Sequence, residues 1–392
     1  MTTTDSPAPA EDRSLGTLAR VFLRLGLTAF GGPAAHIALF REEIVRRRGW
    51  LTDQQYLDLL GAANLLPGPT STEVAIGIGR ERAGLRGMVV SGGLFILPAS
   101  LLVLAFAIAY DRLGSLPSMR WLLYGLQPVV VVIVVRALVA LVPTGARTPV
   151  AWAIAVIALL AGLVGVHPLL VLGGAAVAML IARGLAGEGV AAMLGLGRLD
   201  GLGLVAGMTG AAGAIGLGSL FLTFLGLGAL TCGSGYLLLV FLQQAFVDPG
   251  LLSNQVLLDA IAIGQVTPGP LFTTATFIGY QLGGFAGAVL ATLGIFLPSF
   301  VLVAVIHPFL PRMRASRRLA ALLDGVNAAA LGLIAAVAVE LARAALIDAW
   351  SIAIALGAAA LLAAGRAGPT AVLFAGGAAG IALGVAGLAP AF

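Results

Sequence analysis

The chain has 392 residues, a mean hydropathy of +1.06, and 60% hydrophobic against 10% charged residues; a soluble domain carries about 25% charged residues, so too little polar surface is left to clothe a soluble core and the bilayer must be the solvent. The net charge of +5 is carried by arginine alone, in short loops between apolar runs, which is a positive-inside pattern and not a nucleic-acid footprint. A lone cysteine, Cys232, excludes an intrachain disulfide and a Cys-based metal site.

In chain order, residues 1–13 (MTTTDSPAPAEDR) read as a disordered polar tail. They lack the basic start and apolar stretch of a cleaved signal peptide, so the first apolar segment is expected to stay in the membrane. Apolar segments follow at about 15–45, 55–79, 88–110, 119–143, 149–166 and 168–184. A polar break carries Arg183, Glu188, Arg198 and Asp200, and six more segments run at about 217–247, 257–280, 286–310, 319–345, 349–364 and 369–388. The pattern predicts a first transmembrane repeat over 14–185, a linker with the start of the second repeat over 186–215, and a second transmembrane repeat over 216–392.

Motifs support the duplication. NLLPGPTST at Asn64–Thr72 matches QVTPGPLFT at Gln265–Thr273, and FGGP at Phe30–Pro33 matches CGSG at Cys232–Gly235. LDLL at Leu57–Leu60 matches LDAI at Leu258–Ile261, and LFILPAS at Leu94–Ser100 matches GIFLPSF at Gly294–Phe300. All four pairs keep one order and a spacing of about 200 residues, which chance likeness between apolar helices does not produce.

Arginine placement gives orientation. Arg41, Arg46, Arg47 and Arg48 follow the first segment and Arg80, Arg82 and Arg86 the second, whereas the matching loops near 243–254 and 280–287 have none. After the third segment the bias reverses, with Arg312, Arg314, Arg317 and Arg318 against Arg112 and Arg120. Equivalent loops then lie on opposite sides, which predicts an all-α polytopic membrane protein of two inverted-topology repeats, each of about six hydrophobic segments. Both flanks of the first PGP segment are Arg-rich and both flanks of its partner are bare. Each PGP segment is therefore expected to enter and return as a broken, re-entrant hairpin, leaving ten crossings with both termini outside; twelve spans are the rival arrangement.

A Pro-Gly-Pro break frees backbone groups that lipid cannot satisfy, so it must line a protein cavity. The half-helix that restarts after it offers unpaired N–H groups and the positive end of its dipole, both of which favour an anion. Candidate anion-binding residues are Asn64, Pro67, Gly68, Pro69, Thr70, Ser71 and Thr72 in the first copy and Gln265, Pro268, Gly269, Pro270, Thr273 and Thr274 in the second, the hydroxyls serving as donors. A kink that only shapes packing is the plainer alternative, and Asn64 and Gln265 suit capping as well as lining. Gly31, Gly32, Gly233 and Gly235 mark a second pair of breaks, open to unwinding at a binding site or to close packing. Arg136, inside VVVVIVVRALVALV, is a charge within a span that faces the anion or snorkels. Asp324, Asn327 and Glu340 lie in its counterpart span, with Asp324 a candidate partner for Arg136. Glu73, three residues after Thr70, is the acid of a capping box or a proton-coupling carboxylate. His36 is a packed histidine or part of a proton relay. Asp58 and Asp259 match across the repeat and fit acids near a helix start.

No HExxH, GxSxG, Walker A or ferredoxin-type cysteine run is present, so no enzyme, metal or cofactor is expected, and pumping must draw on an ion gradient. The stretches FGGPAAHIALFREEIV, RGWLTDQQYLDLLGAANLLPGPTSTEVAIGIG and DAIAIGQVTPGPLFTTATFIGYQLGG, with GIFLPSF, resemble the chromate ion transporter family in its long two-domain form. The likeness is clear over about 18–310 and continues by segment pattern. It departs at Cys232, where the family more often has an aromatic, and in the second-half loop, which lacks a GWLT. The resemblance implies efflux of chromate from the cytoplasm across the cell (inner) membrane. Chromate or sulfate and the lipid bilayer are the expected partners; nucleic acid is not, and a homodimer is allowed. The residues alone give an anion transporter; sulfate uptake, an intramembrane enzyme acting on a phosphate ester, and a scaffold or channel component stay open at this point.

Overall fold

The computed structural model describes residues 14–113, 116–184, 216–231, 235–306 and 316–388; the expected tail, the 186–215 linker, Cys232 and Gly233 lie outside the described residues. The described residues are helical. The first half holds α1 (Leu15–Thr28), α2 (Gly32–Phe40) continued by a π turn (Arg41–Arg47), α3 (Asp53–Ala63), α4 (Thr70–Leu113), α5 (Pro117–Gly145), α6 (Pro149–Leu163) and α7 (Pro168–Ala182). The second holds α8 (Leu217–Leu230), α9 (Leu237–Leu242) continued by a π turn (Gln243–Val247), α10 (Asn254–Val266), α11 (Thr274–Ile306) entered through a 3₁₀ turn (Leu271–Thr273), α12 (Arg317–Ala345), α13 (Ala349–Ala363) and α14 (Pro369–Val385). Every element of the first half has a counterpart about 200 residues on, including the π turns. The caps correspond too: the side chains of Thr52 and Ser253 accept from the N–H groups of Gln55 and Val256 at the starts of α3 and α10, satisfying donors the helix leaves open.

Among the described residues four helical stretches are long and apolar enough to cross a bilayer: Thr70–Leu113, Pro117–Gly145, Leu271–Val305 and Arg317–Ala345. The first and third are not straight. Ala83–Gly84 and Gly283–Gly284 leave helical geometry in the same way, with Gly84 and Gly284 both at φ 60°, a conformation that suits glycine. Beyond the break the chain folds back on itself. A methyl group on Gly79 would strike the Gly87 carbonyl, one on Gly87 the Gly79 carbonyl, and Gly279 and Gly287 repeat the contact. Residues 70–82 therefore form one arm and 85–113 a second, antiparallel to it. The Trp50 ring, just before α3, stands 5.2 Å from the Arg48 guanidinium and 4.7 Å from that of Arg82. The start of α3 and the end of the first arm are thus side by side.

The two halves interlock reciprocally. α5 packs on α13 and α14 of the second half, and α12 packs on α6 and α7 of the first. Gly125 lies against the backbone of Gly376 and Gly380, and its counterpart Gly325 against Ala175 and Ala176. Such close backbone approach is what drives helix association in lipid, where burial against another helix gains little over burial in acyl chains. Large apolar residues such as Val139, Ile157, Leu293 and Leu356 face outward, as a lipid solvent allows. Asp324 pairs with Arg183 at the end of α7, at 2.5 Å, so it is not the partner of Arg136 that its position in the counterpart span suggested.

Candidate functional site

Each PGP loop turns at its glycine. Gly68 and Gly269 take φ 137° and 100°, values that L side chains avoid. The turn aims the glycine N–H outward, and in both copies it finds the same target in the other repeat. Gly68 donates to the Thr231 carbonyl at 2.7 Å and Gly269 to the Ala29 carbonyl at 2.8 Å. Thr231 and Ala29 are the C-terminal caps of α8 and α1, so each loop docks on the end of the first helix of the opposite repeat. The loops also lie against the opposite Leu-Pro motif: a methyl on Gly68 would collide with Oγ of Ser299, and one on Gly269 with Ala99.

After the loops, the carbonyls of Pro69 and Pro270 accept the first bonds of the restarting helices. Among the described residues the N–H groups of Thr70 and Ser71, and of Leu271 and Phe272, have no hydrogen-bond partner. The surroundings of the two copies differ. Pro67, Thr70, Gly31 and Gly32 are partly open and Asn64, the C-cap of α3, is exposed. Pro268, Gly269, Pro270, Thr273 and Thr274 are buried, with the hydroxyls of Thr273 and Thr274 donating to the carbonyls of Pro270 and Leu271. Ser71 and Thr72 are buried on the first arm.

Among the described residues these buried polar atoms have no hydrogen-bond partner: Thr72 Oγ1, both Glu73 carboxylate oxygens, Ser100 Oγ, Ser299 Oγ and His36 Nδ1. Glu73 is 2% exposed. A methyl on Gly68 would also meet its Oε1, so the carboxyl curls back toward the PGP loop and does not close a capping box at Thr70. Beside it, walled by Leu59, Leu66, Gly77 and Val303, is a cavity of about 10 Å³, room for about one water. His36 Nε2 lies 2.9 Å from the Ala29 carbonyl, the oxygen that also accepts from Gly269, with its ring edge-on to Phe95 at 5.6 Å.

Arg136 lies on an open face of α5, within electrostatic reach of the Tyr236 hydroxyl. That hydroxyl also accepts from Gln265 Nε2 at 3.4 Å. The structure thus gathers Arg136, Gln265 and the break at Gly235 around Tyr236, a residue the motif comparison passes over because its counterpart position carries no hydroxyl. Ser299 is likewise visible only once the two halves are packed. Asp259 is 3% exposed and accepts from Gln127 at 2.9 Å and Tyr110 at 3.0 Å, joining α10 to α5 and α4, whereas its counterpart Asp58 is exposed.

The helical fold of two matching halves fits the duplicated pattern of the family match. The family profile described as Chromate transporter matches residues 16–180 and 218–381. The chain belongs to the chromate transporter family. It is a multi-pass membrane protein of a transporter family, not of an enzyme family. It is 33% identical to a chromate transport protein of Pseudomonas aeruginosa over 82% of this chain and 80% of that one. It is 30% identical to a probable chromate transport protein of Synechococcus elongatus, over 86% of each. A chromate transport protein of Cupriavidus metallidurans is 30% identical over 88% of this chain and 89% of its own. No solved structure matches the chain.

Proposed function

We propose that this protein is a secondary transporter that exports chromate from the cytoplasm across the cell (inner) membrane, with the PGP loops forming the anion site and Glu73 and His36 carrying protons. The observation that supports it best is the reciprocal docking of Gly68 on Thr231 and Gly269 on Ala29. It holds two restarting helices, each with two unpaired N–H groups, inside the protein. A tetrahedral dianion that sheds water needs such fixed donors, since an unpaired charge in low dielectric costs tens of kcal/mol by idealised estimates. The names of the relatives make chromate the first choice of anion; the same donors suit sulfate, which becomes the competitor.

The hairpins of this proposal re-enter without crossing. α3 has 11 residues and would span about 16 Å, and the arm 70–82 about 20 Å, against a hydrocarbon core of about 30 Å. Their outer ends meet at Trp50. Arginine-rich loops on this side and bare loops at the counterpart hairpin favour inverted repeats. Among the described residues no cation pairs with Glu73 and neither carboxylate oxygen has a hydrogen-bond partner, so it sits in this conformation at far lower cost as the neutral acid. A carboxyl that carries a proton here and gives it up when the site rearranges would couple the anion to a proton gradient.

The test is flux of labelled chromate and labelled sulfate into inside-out vesicles under imposed proton gradients. The proposal expects chromate uptake that an acid lumen stimulates and that unlabelled sulfate reduces. Sulfate transport without chromate transport, or uptake indifferent to every ion gradient, would overturn it.

A further inference from the structure

A second polar cavity lies away from the PGP loops. It has a volume of about 230 Å³, and lies between the π turn after α9, the C-terminal half of α12 and the turn from α6 to α7. Gln243, Gln244, Asp248 and Glu340 line it, with Gly162 and Leu163 from the last turn of α6. Gln243 is 9% exposed. Its Nε2 reaches Asp248 Oδ1 at 3.4 Å, and its Oε1 has no hydrogen-bond partner. The end of α6 adds the negative pole of a helix dipole.

The basic groups nearby do not neutralise this set. Arg343 touches Glu340 at 3.9 Å while 73% exposed, a pair of little energy in water. His167, between two lining residues, has its Nδ1 occupied by the Leu169 N–H. Asp248 is exposed and Glu340 partly exposed at the cavity. The counterpart region of the first repeat is built otherwise. Its acids are matched by arginines, Arg41 with Asp53, Arg47 with Glu42 and Arg48 with Glu43. At the position equivalent to Arg41 the second repeat has Gln243, and residues 243–254 hold no arginine.

We propose that this cavity is a cation-binding site, in which the carboxylates of Asp248 and Glu340 and the amide oxygen of Gln243 hold a partly hydrated metal ion. Oxygen donors of this kind select hard cations such as Na⁺, Mg²⁺ or Ca²⁺. The volume leaves room for several waters around the ion, at roughly 30 Å³ of liquid volume each. The site goes beyond the export reading and does not depend on it.

The test is thermal unfolding of the full chain in lipid nanodiscs with NaCl, MgCl₂ or CaCl₂, against choline chloride at equal ionic strength. A ligand that binds only the folded state raises the midpoint in proportion to the logarithm of its concentration over its dissociation constant. At least one metal salt should raise the midpoint above choline chloride. The same shift should need tenfold or more of that salt in Asp248→Asn/Glu340→Gln, and less of it in Arg343→Gln, which keeps both acids and removes the competing charge. A response to sodium alone supports a monovalent ion, and one to calcium or magnesium a divalent ion. No salt exceeding choline chloride, or a double variant that responds like the wild type, would overturn the site.

Discussion

His36 and Gly269 donate to one carbonyl oxygen, that of Ala29, although they belong to opposite repeats. The break in the first repeat and the PGP loop of the second are therefore held by a shared acceptor, and whatever moves the imidazole moves the loop. A carbonyl oxygen has two lone pairs, so both bonds form without competition. The unpartnered Nδ1 of His36 is the atom left to take a proton.

His36→Gln keeps an N–H donor toward Ala29, and His36→Leu removes it. Glutamine should retain chromate flux within about threefold of wild type, and leucine should lose about tenfold, the difference one hydrogen bond makes. Because glutamine cannot carry the proton that the proposal assigns to the imidazole, the pH profile of flux should flatten in the glutamine variant. Equal flux in the two variants would remove the shared acceptor from the account.

Glu73→Gln swaps the buried acid for a neutral group of the same shape. No hydrogen bond is lost, because neither carboxylate oxygen has a partner, so thermal stability should stay within about 1 kcal/mol of wild type. Stimulation of chromate flux by an acid lumen should disappear. A variant that still responds to the gradient would show that the proton travels elsewhere.

Glycine substitutions separate backbone strain from docking. Gly284 has φ 60° and ψ −151°, a region essentially reserved for glycine, with open space around a new methyl, so Gly284→Ala should cost about 1–3 kcal/mol of backbone strain. Gly269 also has a positive φ, 100°, and a methyl there would collide with Ala99, so Gly269→Ala should cost more than Gly284→Ala, about 3 kcal/mol or more. Melting midpoints of the two variants in detergent give the order, and a reversed order would contradict the docking of the second loop.

The duplication and its landmarks were legible because they are written in prolines and glycines at fixed spacing. The PGP and FGGP motifs each fall where the chain breaks, and the Leu-Pro motifs lie inside α4 and α11 against the opposite PGP loop. The loops read between the segments at 79–88 and near 280–287 fall at the reversals, but the turning residues were not legible, because Gly84 is one glycine among many and only the contact of Gly79 with Gly87 shows how tightly the chain turns back. Glu73 invited a capping-box reading, but Pro69 precedes the helix and the carboxyl turns toward Gly68; capping boxes form at Thr52 with Gln55 and at Asp348 with Ser351. Asp259 suggested a helix-dipole acid, whereas its partners Tyr110 and Gln127 lie more than a hundred residues away. Tyr236 and Ser299 gain their places from the packing of one repeat on the other, which no local pattern encodes.

The hairpin geometry predicts sidedness. In a Cys232→Ser background, single cysteines at Arg46 and Arg82 should react with an impermeant thiol reagent from one face of the membrane. Cysteines at Ser253 and Gly284 should react from the opposite face. Arg82 stacks on Trp50 next to the start of α3, so Arg46 and Arg82 reacting from opposite faces would rule out a re-entrant first hairpin.

The claim at the centre is that the PGP breaks form the anion site, and chromate flux through double-proline variants tests it most directly. Pro67→Ala/Pro69→Ala and Pro268→Ala/Pro270→Ala let the backbone continue as helix, which takes the unpaired N–H groups of Thr70 and Ser71, or Leu271 and Phe272, into intrahelical bonds. Labelled chromate uptake should be lost in each, with the protein still present in the membrane at wild-type amounts. Thr70→Ala alone should weaken apparent affinity about tenfold, the ~1.4 kcal/mol of one hydrogen bond to a charged group. Wild-type chromate flux in both double-proline variants would contradict the account.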